Sequence, residues 1–303
     1  MRMLRPLPLV LTFPAMLLDA YTQPVALLGY PVGHSRSPLI HNTAFQAQGL
    51  NYVYLALPVA PSDLKAAVGG LRALHFRGAN VTIPHKEAVL PLMDTLSSQA
   101  AAVGAVNTIV CRRAEQEGPV TLYGDNTDVA GFLAPLALLA ASLQEVDMLV
   151  FGAGGAARAV VYALLTTFRP ARLTIAARNQ AQAERLATAF AAYDTRAALR
   201  TMPLKDAAAA ARTSRLLVNA TPLGMAPLED YTPLQTPAST GQIVYDLVYT
   251  PTRLLREAAS HGAIALGGLE MLIGQAAASY IQWTGHPMPT EVVRAALQAG
   301  LQR

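Results

Sequence analysis

Cysteine is almost absent: Cys111 is the only one in 303 residues. A lone thiol forms no internal disulfide, which fits a reducing cytosol, and the chain has no CxxC or Cys/His spacing with which to hold a metal. Charge is scarce too. Asp, Glu, Lys and Arg together make up 14% of the chain, and the formal net charge of +4 arises without any dense run of Lys and Arg. That argues against a nucleic-acid binder and leaves a mild bias towards an anionic ligand. Glycine and proline are spread rather than clustered, so the composition is not that of a disordered or fibrous chain. What is abundant is apolar: 52% of residues are hydrophobic, and the length suffices for two domains, each with its own core.

The first twenty residues stand apart. Met1 to Ala20 joins two arginines to an apolar stretch, Leu7 to Leu18, that superficially suggests a signal peptide. It lacks a small-residue cleavage site, and Pro6, Pro8 and Pro14 make it a poor membrane helix. The expectation is a disordered extension over residues 1–22, or a natural start at Met16.

One run specifies a ligand by its local physics. Met148 to Phe151 reads as a short apolar strand, Gly152-Ala153-Gly154-Gly155 as a turn, and Ala156 to Leu165 as a helix. In that arrangement Gly152 permits the tight turn and Gly154 lets the backbone approach a pyrophosphate. The small Ala157 lets the helix pack close to the strand. The free amides and positive dipole end of the helix then face the phosphates. A plain strand-to-helix turn is the competing reading, because a glycine pattern in an alanine-rich chain is weak by itself.

Upstream, a strand at Val25 to Gly29 leads to His34-Ser35-Arg36-Ser37-Pro38. Ser37 reads as an N-cap with proline at the first helical position, opening a helix from Pro38 to Gln48. Two hydroxyls at a helix N-terminus suit a carboxylate, though most Ser-Pro pairs are only caps. A strand at Tyr52 to Leu57 and a helix from Pro61 to Leu74 follow. Next, Asn80-Val81-Thr82-Ile83-Pro84-His85-Lys86 reads as a strand running into a helix opened by Pro84. Lys86 would then sit in the first helical turn, where a cation is unfavourable; that invites a functional reading beside the commoner one of a solvated lysine. Gly104 to Val110 reads as a turn into a strand, and Gly124 to Asp128 as a polar loop before a helix that Thr127 or Asp128 caps.

Taken in order, these motifs resemble the shikimate dehydrogenases. The resemblance continues through Asn219-Ala220-Thr221-Pro222-Leu223-Gly224-Met225, Val244 to Pro251, and Gly267-Gly268-Leu269-Glu270-Met271-Leu272-Ile273-Gly274-Gln275-Ala276, covering residues 24–300. It implies an α/β fold of two domains: a split α/β substrate domain, residues 23–127 and 267–303, and a Rossmann-like doubly wound parallel sheet, residues 128–266. The βα alternation after Met148 supports the second domain independently, with strands at Arg172 to Ala176, Leu216 to Asn219 and Ile243 to Asp246 and a helix at Gln180 to Ala192. In the returning segment, helices are expected from Met271 to Trp283 and from Thr290 to Leu301.

Position by position, the resemblance implies that Ser35 and Ser37, helped by Thr82 and Tyr249, hold a substrate carboxylate. Asn80, Asn107, Asp128 and Gln275 would meet ring hydroxyls, and Lys86 and Asp128 would be the catalytic pair. Gly152, Ala153, Gly154, Gly155, Ala156, Arg178, Asn179, Thr221, Leu247, Gly268 and Met271 would contact the cofactor. Reducing a ketone needs a hydride at carbon and a proton on the developing alkoxide, so a cation beside that oxygen both stabilises charge and delivers the proton.

The cofactor is expected to be NADP, because the strand ending Ala176-Ala177-Arg178-Asn179 carries no acid to bind a ribose 2′-hydroxyl. Instead, Arg178 is placed to take a 2′-phosphate. Family members using NADP commonly read Asn-Arg-Thr here. This chain departs from that pattern at Ala177, Asn179 and Gln182, which predicts weaker discrimination against NAD.

The implied enzyme is cytosolic, metal-free, a monomer or homodimer, with no nucleic-acid or membrane partner and no length left for a fused dehydratase. Two alternatives stay open: an enzyme that also accepts quinate, and a non-catalytic dinucleotide-binding module of the same fold.

Overall fold

The computed structural model describes residues 18–113, 118–196 and 198–301. Residues 1–17 of the expected extension lie outside that range. Residues 18–22, assigned to the same extension, form instead a turn tied to the first sheet. There Asn51 Nδ2 donates to Asp19 Oδ1 at 2.8 Å and Thr22 Oγ1 donates to Asn51 Oδ1 at 2.7 Å.

The first sheet has six strands. They are β1 (Gln23–Gly29), β2 (Tyr52–Pro58), β3 (Gly78–Val81), β4 (Thr95–Leu96), β5 (Thr108–Arg113) and β6 (Val120–Asp125), in the order β2-β1-β3-β5-β6-β4. Helices α1 (Ser37–Ala47), α2 (Leu64–Ala73) and α3 (Ser98–Val103) connect them. β1 to β3 are parallel, whereas β5 runs antiparallel to both of its neighbours. Both faces are covered, as β1 makes plain: Val25 and Leu27 enter one core cluster and Ala26 and Leu28 the other. A strand with alternate residues buried on opposite faces must be apolar throughout, which is why its sequence is a continuous hydrophobic run.

Helix α4 (Asp128–Leu133) carries the chain to the second sheet. Its strands are β7 (Asp147–Phe151), β8 (Arg172–Ala177), β9 (Leu199–Pro203), β10 (Leu216–Asn219), β11 (Ile243–Asp246) and β12 (Ile264–Gly267). All pairings are parallel, in the order β12-β11-β10-β7-β8-β9. Helices α5 (Gly155–Phe168), α6 (Gln180–Phe190), α7 (Ala208–Thr213) and α8 (Arg253–Ser260) make the crossovers. This is the doubly wound arrangement, and its strand order reverses between β7 and β10. Ligands of such sheets bind at the carboxyl ends of the strands flanking that reversal.

The chain then returns through α9 (Gly268–Thr284) and α10 (Thr290–Leu301). Ile273, Ala276, Tyr280 and Trp283 of α9 and Val293 and Leu297 of α10 join Val25, Leu27, Phe45 and Tyr54 in one buried cluster. The last helices therefore complete the core of the first sheet. No helix among the described residues is long and apolar enough to cross a membrane.

Several local expectations change. The stretch after Pro84 forms no α-helix; it is a series of turns ending in a 3₁₀ turn at Leu90–Leu92. It is tied to other segments: Lys86 O accepts from Val106 N at 2.8 Å, and the His85 side chain places Nε2 2.7 Å from Val59 O. The helix expected from Pro61 to Leu74 is a 3₁₀ turn at Pro61–Asp63 followed by α2. Gly124 and Asp125, read as loop, belong to β6. The helix expected from Met271 begins three residues earlier, at Gly268.

Candidate active site

The glycine turn sits at the reversal point of the second sheet. Gly152 has φ +103, and a Cβ there would lie 2.9 Å from Ala220 O, so both conformation and the passing β10 loop require glycine. Gly154 is the N-cap of α5, and a Cβ built on it meets nothing within 4 Å. Space is thus open beside the start of α5, whose first amides, those of Gly155 and Ala156 among them, have no partner one turn earlier in the helix. That cradle fits a pyrophosphate at a helix N-terminus. Thr221 follows β10 beside Gly152, its Oγ1 donating to Asn219 Oδ1 at 2.6 Å. Arg178 is exposed just past β8, whose Ala176 O accepts from Gly152 N at 2.9 Å. Asn179 also serves as a helix cap, its Oδ1 accepting from Gln182 N at 3.1 Å at the start of α6.

A cavity of about 480 Å³ lies between the two sheets. All nine residues expected to meet substrate line it, together with Ala156, Leu247, Gly268 and Met271 from the expected cofactor set. Gly152, Ala153, Gly154, Gly155, Arg178, Asn179 and Thr221 are outside that lining.

Within the cavity Lys86 Nζ donates to Asp128 Oδ2 at 2.6 Å, the two side chains being only 17% and 7% exposed. So deep a lysine beside a carboxylate is not the solvated surface lysine, and the helix-dipole argument for it lapses with the missing helix. The ammonium is held by a partner that is itself held. Asn107 Nδ2 donates to Asp128 Oδ1 at 2.8 Å, while Asn107 Oδ1 accepts from Thr127 N at 2.8 Å. Neither Thr127 nor Asp128 caps α4 through its side chain. The carboxylate expected to cap a helix is engaged by the lysine instead.

A buried polar network supports this pair. Asn80 Nδ2 donates to Asn107 O, Thr108 Oγ1 and Ser279 Oγ at 3.1–3.2 Å, and its Oδ1 accepts from Tyr54 OH at 2.8 Å. Ser279 Oγ also lies 2.7 Å from Thr108 Oγ1 and 3.1 Å from Thr127 Oγ1. Each of these groups is satisfied inside protein, so the network is rigid, and Asn80 and Asn107 can face a ligand in only one amide orientation.

At the other end, Ser37 opens α1 rather than capping it; Ser35 Oγ accepts from Ser37 N at 3.2 Å. Tyr249 OH reaches across the cleft to His34 O at 3.4 Å. Its loop is set by the buried Asp246, which accepts from Asn219 Nδ2, Thr252 Oγ1 and Val248 N at 2.6–3.1 Å. Burial raises the Asp246 carboxyl pKa, and those three donors oppose the shift. Cys111, on β5 and outside the cleft lining, is pushed up to about 12 by burial, which disfavours its thiolate.

Sequence reasoning misses Tyr54, Thr108, Asp246 and Ser279. Thr108 and Asp246 stand inside two of the recurring motifs without being singled out, and Ser279 lies one helical turn beyond Gln275, whose carbonyl accepts from its hydroxyl at 3.0 Å.

A doubly wound sheet that presents a phosphate cradle beside a lysine–carboxylate pair defines a dinucleotide-dependent oxidoreductase built from two α/β units. Similarity to known proteins makes the family specific. Residues 27–109 match the shikimate dehydrogenase substrate binding domain and residues 268–298 the shikimate 5′-dehydrogenase C-terminal domain. The shikimate dehydrogenase (NADP(+)) of Salinibacter ruber is 59% identical over 288 residues, covering 93% of this chain and 99% of the relative. Among solved structures, a shikimate dehydrogenase in complex with NADP+ superposes with a TM-score of 0.84 at 34% identity, covering 95% of this chain and 98% of the other. That of Thermus thermophilus, in complex with NADP(H) and shikimate, gives 0.75 at 37% identity, covering 91% and 99%. The chain belongs to the shikimate dehydrogenase family.

Proposed function

We propose that this protein catalyses the reversible, NADPH-dependent reduction of 3-dehydroshikimate to shikimate, a step towards aromatic amino acids, in the cytoplasm. Residues 23–127 with 267–303 hold the substrate, and residues 128–266 hold the cofactor. The observation that carries the reading is the 2.6 Å Lys86–Asp128 pair lying against the glycine turn, where a Cβ on Gly155 would be 3.7 Å from Lys86 Cδ. A proton donor and the cradle for a hydride carrier are thereby adjacent.

NADPH, with its pyrophosphate on that cradle, would supply the hydride for the carbonyl carbon. Lys86 stabilises the charge growing on the carbonyl oxygen and passes it the proton that completes the hydroxyl. Asp128 keeps the ammonium oriented and accepts from the neighbouring ring hydroxyl. Ser35, Ser37, Thr82 and Tyr249 hold the remote carboxylate; Asn80, Asn107 and Gln275 meet the ring hydroxyls. Thr221, Leu247, Gly268 and Met271 would contact the cofactor, and Arg178 with the remaining amide of Asn179 would take its 2′-phosphate. The test is to mix the protein with 3-dehydroshikimate and NADPH and follow reduced-cofactor absorbance; no oxidation at any enzyme concentration refutes the assignment.

A further inference from the structure

Arg158 belongs to the first turns of α5, the helix whose N-terminus forms the phosphate cradle, yet its side chain is directed to the other unit of the protein. Its Nε donates to Val103 O at 2.8 Å, and its Nη1 lies 3.9 Å from Glu87 Oε2. The side chain is 17% exposed. Val103 ends α3, so the guanidinium occupies the negative end of that helix. Gly104 follows in the left-handed conformation, φ +67, and a Cβ there would collide with Arg158 Nη2. Only glycine lets the guanidinium settle on this turn.

The two segments that Arg158 touches are those that present the proton-transfer side of the cleft. Glu87 is the residue after Lys86. Two residues beyond Gly104, Val106 N donates to Lys86 O at 2.8 Å, and the next residue, Asn107, holds Asp128. One cation is thus anchored in the helix that receives the phosphates, hydrogen-bonded to the backbone that leads to Asn107 and paired at 3.9 Å with the side chain next to Lys86.

We propose that Arg158 is a positioning residue: an inter-unit strut that sets the separation between the nucleotide cradle and the Lys86–Asp128 pair, and so the approach of hydride donor to carbonyl carbon. It touches neither substrate nor reacting atoms and acts through Val103, Gly104 and Glu87. This rests on the function proposed above. Hydride transfer is steeply sensitive to approach distance, and misplacement of about 1 Å costs on the order of 10²-fold in rate. The phosphate cradle itself belongs to α5 and does not depend on the strut.

The test begins by showing that the parent oxidises NADPH with 3-dehydroshikimate; failure there refutes the proposed function and not the strut. With an active parent, Arg158→Met and Arg158→Lys are compared for kcat, NADPH Kd and the primary isotope effect with 4-deuterated NADPH. The expected result for Arg158→Met is a kcat lowered about 10-fold to 10²-fold with NADPH Kd within about twofold and an isotope effect larger than the parent's. Arg158→Lys, which restores a cation at the Val103 carbonyl, recovers part of the rate. If Arg158→Met does not fold, Arg158→Lys carries the test by the same isotope effect. A kcat and isotope effect equal to the parent's overturn the proposal, even if thermal stability falls, because a purely structural contact changes melting temperature without changing the hydride step.

Discussion

His41 lies fully buried under the substrate side of the first sheet, and replacing it by Phe isolates one electrostatic contribution to stability. Its ring stacks on Tyr54 at 4.4 Å between centroids, with Tyr280 and Trp283 also in contact, and neither ring nitrogen has a hydrogen-bond partner. Burial pushes its pKa from 6.5 down to about 3, with the nearby Asn80 amide opposing only part of the shift. The folded protein therefore keeps the ring neutral, whereas the unfolded chain takes up a proton below about pH 6.5. The stability this site contributes is present above that pH and lost as pH falls towards the folded value. Between pH 7 and pH 5 the loss is about 2 kcal/mol for this single group. Other groups titrate in the same range, but they are common to parent and variant and cancel in the difference. Urea denaturation of the parent and His41→Phe at pH 7 and pH 5 measures it. The parent should lose about 2 kcal/mol more than the variant over that interval. Equal losses would mean that the ring is protonated or solvated in the folded state, and the account of this core would be wrong.

At the site itself, Lys86→Ala should lower kcat and kcat/KM together, by about 10²-fold to 10⁴-fold, while calorimetric NADPH affinity stays nearly unchanged. A near-normal kcat with a raised KM would reduce Lys86 to a binding residue. Ser35→Ala and Ser37→Ala should raise KM for the acid substrate more than they lower kcat, since a remote carboxylate is held equally in ground and transition states; variants kinetically identical to the parent would leave these serines as part of a helix start only. Arg178→Ala should abolish the preference for NADPH over NADH in kcat/KM, and a variant that keeps the parent's ratio would remove Arg178 from phosphate recognition.

What can be read from the chain, and what cannot, divides along range. β1 and β7 are legible because strands buried on both faces must be apolar throughout, and the glycine turn is legible because Gly152 meets a conformational and steric demand within its own few residues. Lys86 stands out in the sequence for a reason that fails: its unfavourable place in a helix vanishes with the helix. What makes it exceptional is a carboxylate 42 residues away, and nothing in the local pattern around Pro84 encodes that partner. The same limit hides Ser279. In Ala276-Ala277-Ala278-Ser279 a single hydroxyl reads as an ordinary small helical residue, yet it closes a network with Thr108, 171 residues earlier. Buried polar groups are satisfied by partners that folding delivers from afar, so each looks neutral in its own window. The candidate site is reached from sequence because several such windows recur in one order along the chain, and a shared order is a property of the whole fold. Arg158 marks where that route stops. Embedded in an alanine-rich helix behind the glycine turn, it resembles a solvent-facing helical arginine until the Val103 carbonyl and Gly104 are seen against it.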